Sequence, residues 1–232
     1  MKPIHRLTSY FTKEERLLWS VSVLLILVSF FLFDRSSYLT LTASLIGVTS
    51  LILNAKGNPA GQVLMVLFSL LYGIISFSFA YYGEMLTYLG MTMPMAVAAL
   101  ISWLRHPYQG NRSEVEIDRL NRREWVLMWI LTALVTAIFY FILKALHTSN
   151  LLPSTLSVTT SFIAVYLTFR RSPYYAIGYA ANDLILILLW VMASLQDPHY
   201  LSVMVCFAAF FANDIYGFIS WRRMERRQAK TI

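Results

Sequence analysis

Long apolar runs alternate with short polar breaks along the whole chain. Eight runs reach membrane-spanning length or come close to it: Leu17–Phe33, Tyr38–Leu53, Gln62–Tyr82, Met85–Leu104, Trp125–Leu146, Leu151–Phe169, Tyr174–Leu195 and Tyr200–Trp221. A helix crossing a bilayer needs ~20 mainly apolar residues, so each run predicts one transmembrane helix. The second is short enough to lie partly at the interface. The stretch Arg6–Arg16 ahead of the first run reads as an interfacial amphipathic helix, with Leu7, Tyr10 and Phe11 on one side. The first run lacks a small-residue cleavage site and ends in Phe33-Asp34-Arg35, so it reads as a retained helix. The expected fold class is all-α integral membrane.

Composition agrees with that pattern. The chain is 58% hydrophobic and 13% charged, whereas a soluble domain carries about 25% charged residues. The net charge of +7 points to nucleic acid only until the charges are placed on the spans. With the N-terminus inside, 17 of the 19 basic residues fall in inside segments, and only Arg35 and Lys144 fall outside. Cytoplasmic loops carry this excess of Lys and Arg. The basic clusters therefore set topology in a cytoplasmic membrane, with both termini cytoplasmic, and contact anionic lipid; no nucleic-acid partner is expected. Cys206 is alone, so no internal disulfide is possible.

Within the apolar runs one polar pair recurs. Asn182-Asp183 and Asn213-Asp214 lie inside the seventh and eighth runs. A carboxylate at membrane depth costs at least ~2.5–3.5 kcal/mol and faces a bundle interior or a wet cavity. Asp183 is nine residues from the inner start of its run, and Asp214 seven from the inner end of its own. At 1.5 Å per residue those depths are about 14 and 11 Å, so the carboxylates can share a level. Tyr179, Asp183 and Trp190 recur at spacings of four and seven, which places them on one helix face. Such a face can stack a flat heterocycle, and aromatic rings attract a cation. Adjacent residues point ~100° apart, so one member of each Asn-Asp pair is expected to be structural. Tyr72 and Tyr88 are pocket candidates from the first half.

An internal repeat organises these features. Ile101-Ser102-Trp103-Leu104-Arg105 returns as Ile219-Ser220-Trp221-Arg222-Arg223, and Asn58-Pro59 is echoed by Ser172-Pro173. The blocks at about 38–105 and 151–223 each hold three spans and end on the same side. Residues 1–37 add a helix in front, 106–150 supply a loop and linker helix, and 224–232 form a basic tail. Parallel repeats of this kind are one transporter plan, with substrate at the midplane between them. Trp103 and Trp221, closing their runs, are expected to be interface anchors.

The one-plus-three-one-three layout, the Tyr216-Gly217-Phe218-Ile219-Ser220-Trp221 ending and the Gly57-Asn58-Pro59-Ala60-Gly61-Gln62 start of the third helix resemble the PnuC-type vitamin transporters, which are related in fold to the SWEET sugar transporters. The resemblance implies a pocket of aromatic and amide side chains. The family's Trp-x-x-Trp-x-x-x-Asn pattern, with a further Trp, falls on Ala176, Tyr179, Asp183 and Trp190, so three of its four positions differ here. The substrate-binding candidates are Tyr179, Asn182, Asp183, Trp190, Asn213, Asp214, Tyr72 and Tyr88. The resemblance implies facilitated uptake of nicotinamide riboside, with a related carrier of thiamine or a deoxynucleoside, or a proton-coupled version, as alternatives. It also implies a cytosolic kinase that traps the substrate, and small homo-oligomers. A membrane enzyme using the two carboxylates, or a ligand sensor, ranks behind. His5, His106, His147 and His199 all fall at run ends and form no metal motif, and no phosphate-binding loop is present. Catalytic residues, metal sites and cofactors are not expected.

Overall fold

The computed structural model describes residues 10–78, 82–148 and 150–230. Its framework is eight helices long and apolar enough to cross a membrane: α1 (Lys13–Phe33), α2 (Tyr38–Ala55), α3 (Ala60–Ser78), α4 (Tyr82–Arg105), α5 (Arg122–Ala145), α6 (Leu151–Phe169), α7 (Tyr175–Ser194) and α8 (Leu201–Gln228). Each of the eight apolar runs became one helix. The third was expected to reach Tyr82, but Tyr82 instead begins α4. The eighth continues through Gln228, so the expected basic tail is largely helix. The short second run is a full helix with over half its length buried. Of the expected amphipathic helix Arg6–Arg16, residues 6–9 lie outside the described residues; the rest is interrupted at Thr12, and Lys13–Arg16 form the first turn of α1.

Local chemistry fixes the ends. Thr12 caps α1 by accepting from Glu15 N, and the Glu15 carboxylate accepts in return from Thr12 N. Asn121 and Glu124 make the same reciprocal box at α5. These boxes satisfy backbone donors that have no partner within the helix. Inside α4 the turn Thr87–Thr92 is wound in π fashion just before Pro94. Pro94 has no N–H and crowds the carbonyl four residues back; the widened turn accommodates both.

Helices α2, α3, α4, α6, α7 and α8 close into a ring. Within each half the consecutive helices pack, α2 on α3 on α4 and α6 on α7 on α8. The halves meet at two equivalent seams, α2 on α8 and α4 on α6. Helix α1 lies over the α2–α8 seam, and α5 lies outside α6.

The two repeat tryptophans are not interface anchors. Trp103 and Trp221 are fully buried, with ring centroids 5.4 Å apart. Trp103 Nε1 donates to Thr168 O (2.9 Å) at the end of α6, and Trp221 Nε1 donates to Asn54 O (2.7 Å) at the end of α2. The third helix of each half thus binds the last turn of the first helix of the other half. The carbonyls of a helix's last turn have no partner within the helix, and a neighbouring indole N–H supplies one. That need draws the rings inward.

The loop after α4 forms a two-stranded antiparallel hairpin, β1 (Pro107–Tyr108) and β2 (Asn111–Val115), which the apolar pattern did not foreshadow. Gln228 ties it to α8: its Oε1 accepts from Ile117 N, and its Nε2 donates to Glu114 Oε1 and Val115 O. Arg119 pairs with Glu225, and Arg227 with Glu114. Both lie at the end of the bundle that carries most basic residues, called here the basic end.

Candidate functional site

At the centre of the six-helix ring lies a cavity of about 30 Å³. Helix α7 brings Tyr179, Asn182 and Asp183 to it, and α8 brings Phe207, Phe210 and Asp214. The first half adds Gly47 and Leu51 from α2, Met65 and Phe68 from α3, and Tyr88 and Thr92 from the π turn of α4. A water needs ~10–15 Å³ by this measure, so the cavity has room for about two. Small-molecule pockets usually exceed ~300 Å³, and a ligand here must part the walls.

The Asp183 and Asp214 carboxyls lie within hydrogen-bonding reach of each other. Asp183 and Asp214 are 4% and 3% exposed, and Asp183 Oδ2 takes no hydrogen bond from any described residue. Their shared level follows from the two helices running antiparallel past one another. Asn182 lines the same cavity, but its Oδ1 already accepts from Ser157, Thr160 and Ser161 (3.2, 3.0 and 3.0 Å) and so joins α7 to α6. Asn213 points elsewhere. Its Nδ2 donates to Ser22 Oγ (2.9 Å) on α1 and to Ala209 O (2.8 Å), so it anchors α1 to α8.

Aromatic rings wall the carboxyls. Phe68 packs against Tyr88 and Phe210 at centroid distances of 5.8 and 5.6 Å, and Phe207 lies 5.6 Å from Phe210. Gly47 makes room for this wall: a Cβ there would sit 2.3 Å from Phe210 Cζ. Tyr72 is buried behind it, 4.5 Å from Tyr88, and does not line the cavity. Nor does Trp190, which is buried further from the basic end, 5.5 Å from Tyr200 and 6.5 Å edge-on to Tyr72. The expected Tyr179–Asp183–Trp190 face is therefore divided, because two turns carry Trp190 beyond the aromatic layer around Tyr72.

Phe207 and Phe210 were missed, although their spacing of seven and four from Asp214 places them on its face. Thr92 sits four residues after Tyr88 and could have been found likewise; Ser161 carries no such signal. An aromatic-walled cavity holding two carboxyl groups can recognise a flat cation with hydroxyl groups. Among the described residues, no group of three or more His, Cys, Asp or Glu side chains is placed to hold a metal.

The family model described as nicotinamide mononucleotide transporter matches residues 37–223. The chain belongs to this family. Family members are membrane transporters rather than enzymes, in keeping with eight spans around a central polar cavity. Similar to this member is a nicotinamide riboside transporter PnuC of Neisseria mucosa, 24% identical over 218 residues, covering 91% of this chain and 82% of that protein. A nicotinamide riboside transporter PnuC of Haemophilus influenzae is 20% identical over 192 residues and covers 82% of each chain. Among solved structures, a crystal structure of the vitamin B3 transporter PnuC superposes with a TM-score of 0.81 at 22% identity over 94% of both chains, which establishes the shared fold.

Proposed function

We propose that this transporter carries nicotinamide riboside by facilitated diffusion across the cytoplasmic membrane, with the basic end and both termini in the cytoplasm. The observation that carries the reading is the Asp183–Asp214 pair inside an aromatic wall. The pyridinium ring of nicotinamide riboside is flat and positively charged. Anionic oxygens and ring faces both attract it, the latter by ~2 kcal/mol or more when water is excluded, and its ribose hydroxyls suit Asp and Asn acceptors. The names of the two relatives point to the same substrate. Tyr179, Asp183, Asp214 and Tyr88 are assigned to the ligand, Asn182 is shared between ligand and helix packing, and Asn213, Tyr72 and Trp190 take no part at the central cavity. The small cavity fits an occluded state between two openings, with the triple-helix halves rocking about their seams. A soluble kinase phosphorylating the product would keep it inside, and small oligomers of this chain fit the family plan.

Calorimetry on the purified protein tests the substrate. Nicotinamide riboside should bind, thiamine and deoxynucleosides should not, and Asp183→Asn should weaken binding at least ~tenfold, the loss of ~1.4 kcal/mol. Binding of another ligand alone would reassign the substrate, and indifference to Asp183→Asn would move the site. The contact between the two carboxyls favours a second reading, proton coupling, because like charges that close share a proton. Uptake driven by an imposed pH gradient at fixed membrane potential would select it.

A further inference from the structure

A second cavity, of about 100 Å³, opens at the end of the bundle opposite the basic end. Gly83 and Glu84 of α4, Thr148 and Asn150 of the α5–α6 turn, and Leu186, Trp190 and Gln196 of α7 and its end all line it. No lining residue is basic. Glu84 is half-buried, but its Oε2 is shut off from the surface and has no hydrogen-bond partner among the described residues. Its position in the first turn of α4 makes a carboxylate tolerable there through the helix dipole. That position still leaves Oε2 without a donor among the described residues, in a cavity with an indole for a wall.

The chemistry repeats that of the central cavity: a carboxylate, an aromatic face, and amide and hydroxyl groups at the rim. The two cavities are also neighbours. Tyr88, which lines the central cavity, is one helical step of four residues below Glu84. Leu186, Trp190, Tyr72 and Tyr88 form the partition, with Trp190 6.5 Å from Tyr72 and Tyr72 4.5 Å from Tyr88.

We infer that this outer cavity is a capture site for flat aromatic cations bearing hydroxyl groups, occupied before the ligand reaches Asp183 and Asp214. Glu84 supplies the charge and Trp190 the stacking face. The inference rests on the transport reading above and adds a step to it. A cleft of one sign raises local ligand concentration and on-rates, so its mark is selective: it speeds capture of a cation and not of an uncharged isostere.

The test is initial-rate uptake into liposomes, well below saturation, of nicotinamide riboside and of benzamide riboside, which has the same shape and no charge. In Glu84→Gln the preference for the cation should fall at least ~fivefold, and Glu84→Asp, which keeps the charge, should retain most of it. Gln196→Lys at the exposed rim should lower the same ratio without touching a buried residue, so the proposal stands or falls even if Glu84→Gln does not fold. An unchanged ratio in the folded variants, or equal slowing of both ligands, would overturn it. No flux of either riboside through the wild type would overturn the transport reading and this proposal together; flux of the cation that ignores Glu84 and Gln196 would overturn this proposal alone.

Discussion

Replacing either repeat tryptophan with phenylalanine probes the joint between the two halves. Trp221→Phe removes the N–H that reaches Asn54 O at 2.7 Å, and Trp103→Phe removes the N–H that reaches Thr168 O at 2.9 Å. Each carbonyl keeps a second bond, from Gly57 N or Arg171 N, so the hydrogen-bond loss falls toward the low end of the ~1–3 kcal/mol for a stranded buried group. Phe is smaller than Trp by about 40 Å³, and at ~24 cal/mol per Å³ the void adds about 1 kcal/mol. Each variant should therefore lose about 2 kcal/mol of unfolding free energy. The two losses should match, because the pair is related by the repeat. Since the rings touch, the double variant should depart from additivity by ~0.5 kcal/mol or more. Denaturant titration in mixed micelles, followed by circular dichroism, measures all three. Trp129→Phe, on a ring 56% exposed on the outer face of α5, is the control and should change stability by under ~0.5 kcal/mol. If Trp103→Phe and Trp221→Phe are as mild as the control, the cross-bonded joint carries no stability and the argument is wrong.

Further outcomes follow from other contacts. Gly47→Ala puts a methyl against the Phe210 ring; the ring can swing, so the fold should survive, but it swings at the central cavity, and ligand affinity measured by calorimetry should fall about tenfold, or ~1.4 kcal/mol. Lys56→Met removes the countercharge of the Glu15 carboxylate, 3% exposed and now 3.1 Å from Lys56 Nζ, while the hydrogen bonds from Thr12 N and the Tyr216 hydroxyl remain, and should cost about 3 kcal/mol in chemical unfolding; adding Glu15→Gln should recover most of it. Gln228→Ala removes two hydrogen bonds to the hairpin and one to Ile117 just after it, at ~1 kcal/mol each, so amide exchange at residues 115–117 should quicken at least ~tenfold while that of α3 stays unchanged.

Much of this architecture was legible because the bilayer imposes one simple length on each helix. The positions of Asp183 and Asp214 were legible for the same reason: a carboxylate in an apolar run has few places to go, and equal depth on antiparallel helices brings two together. Direction around the helix was harder to read. Asn213 and Asp214 are neighbours with opposite duties, one tied to Ser22 on α1 and the other facing the cavity, and only the position of α1 decides between them. Trp190 shares a helical face with Asp183, yet it belongs to the next cavity because the partition around Tyr72 comes from another helix. Trp103 and Trp221 misled for a related reason. Their place at the ends of apolar runs suits an interface anchor, but the carbonyls that bury them come from the opposite repeat. The hairpin of residues 107–115 was invisible to an apolar pattern because polar contacts with α8 hold it.

The most direct test of the account is uptake of labelled nicotinamide riboside into liposomes containing the purified protein, with wild type beside Asp183→Asn. Saturable equilibration is expected through the wild type, and at least ~tenfold slower uptake through the variant, equivalent to ~1.4 kcal/mol. Wild-type flux no faster than that of protein-free liposomes, or a variant that transports as well as the wild type, would contradict it.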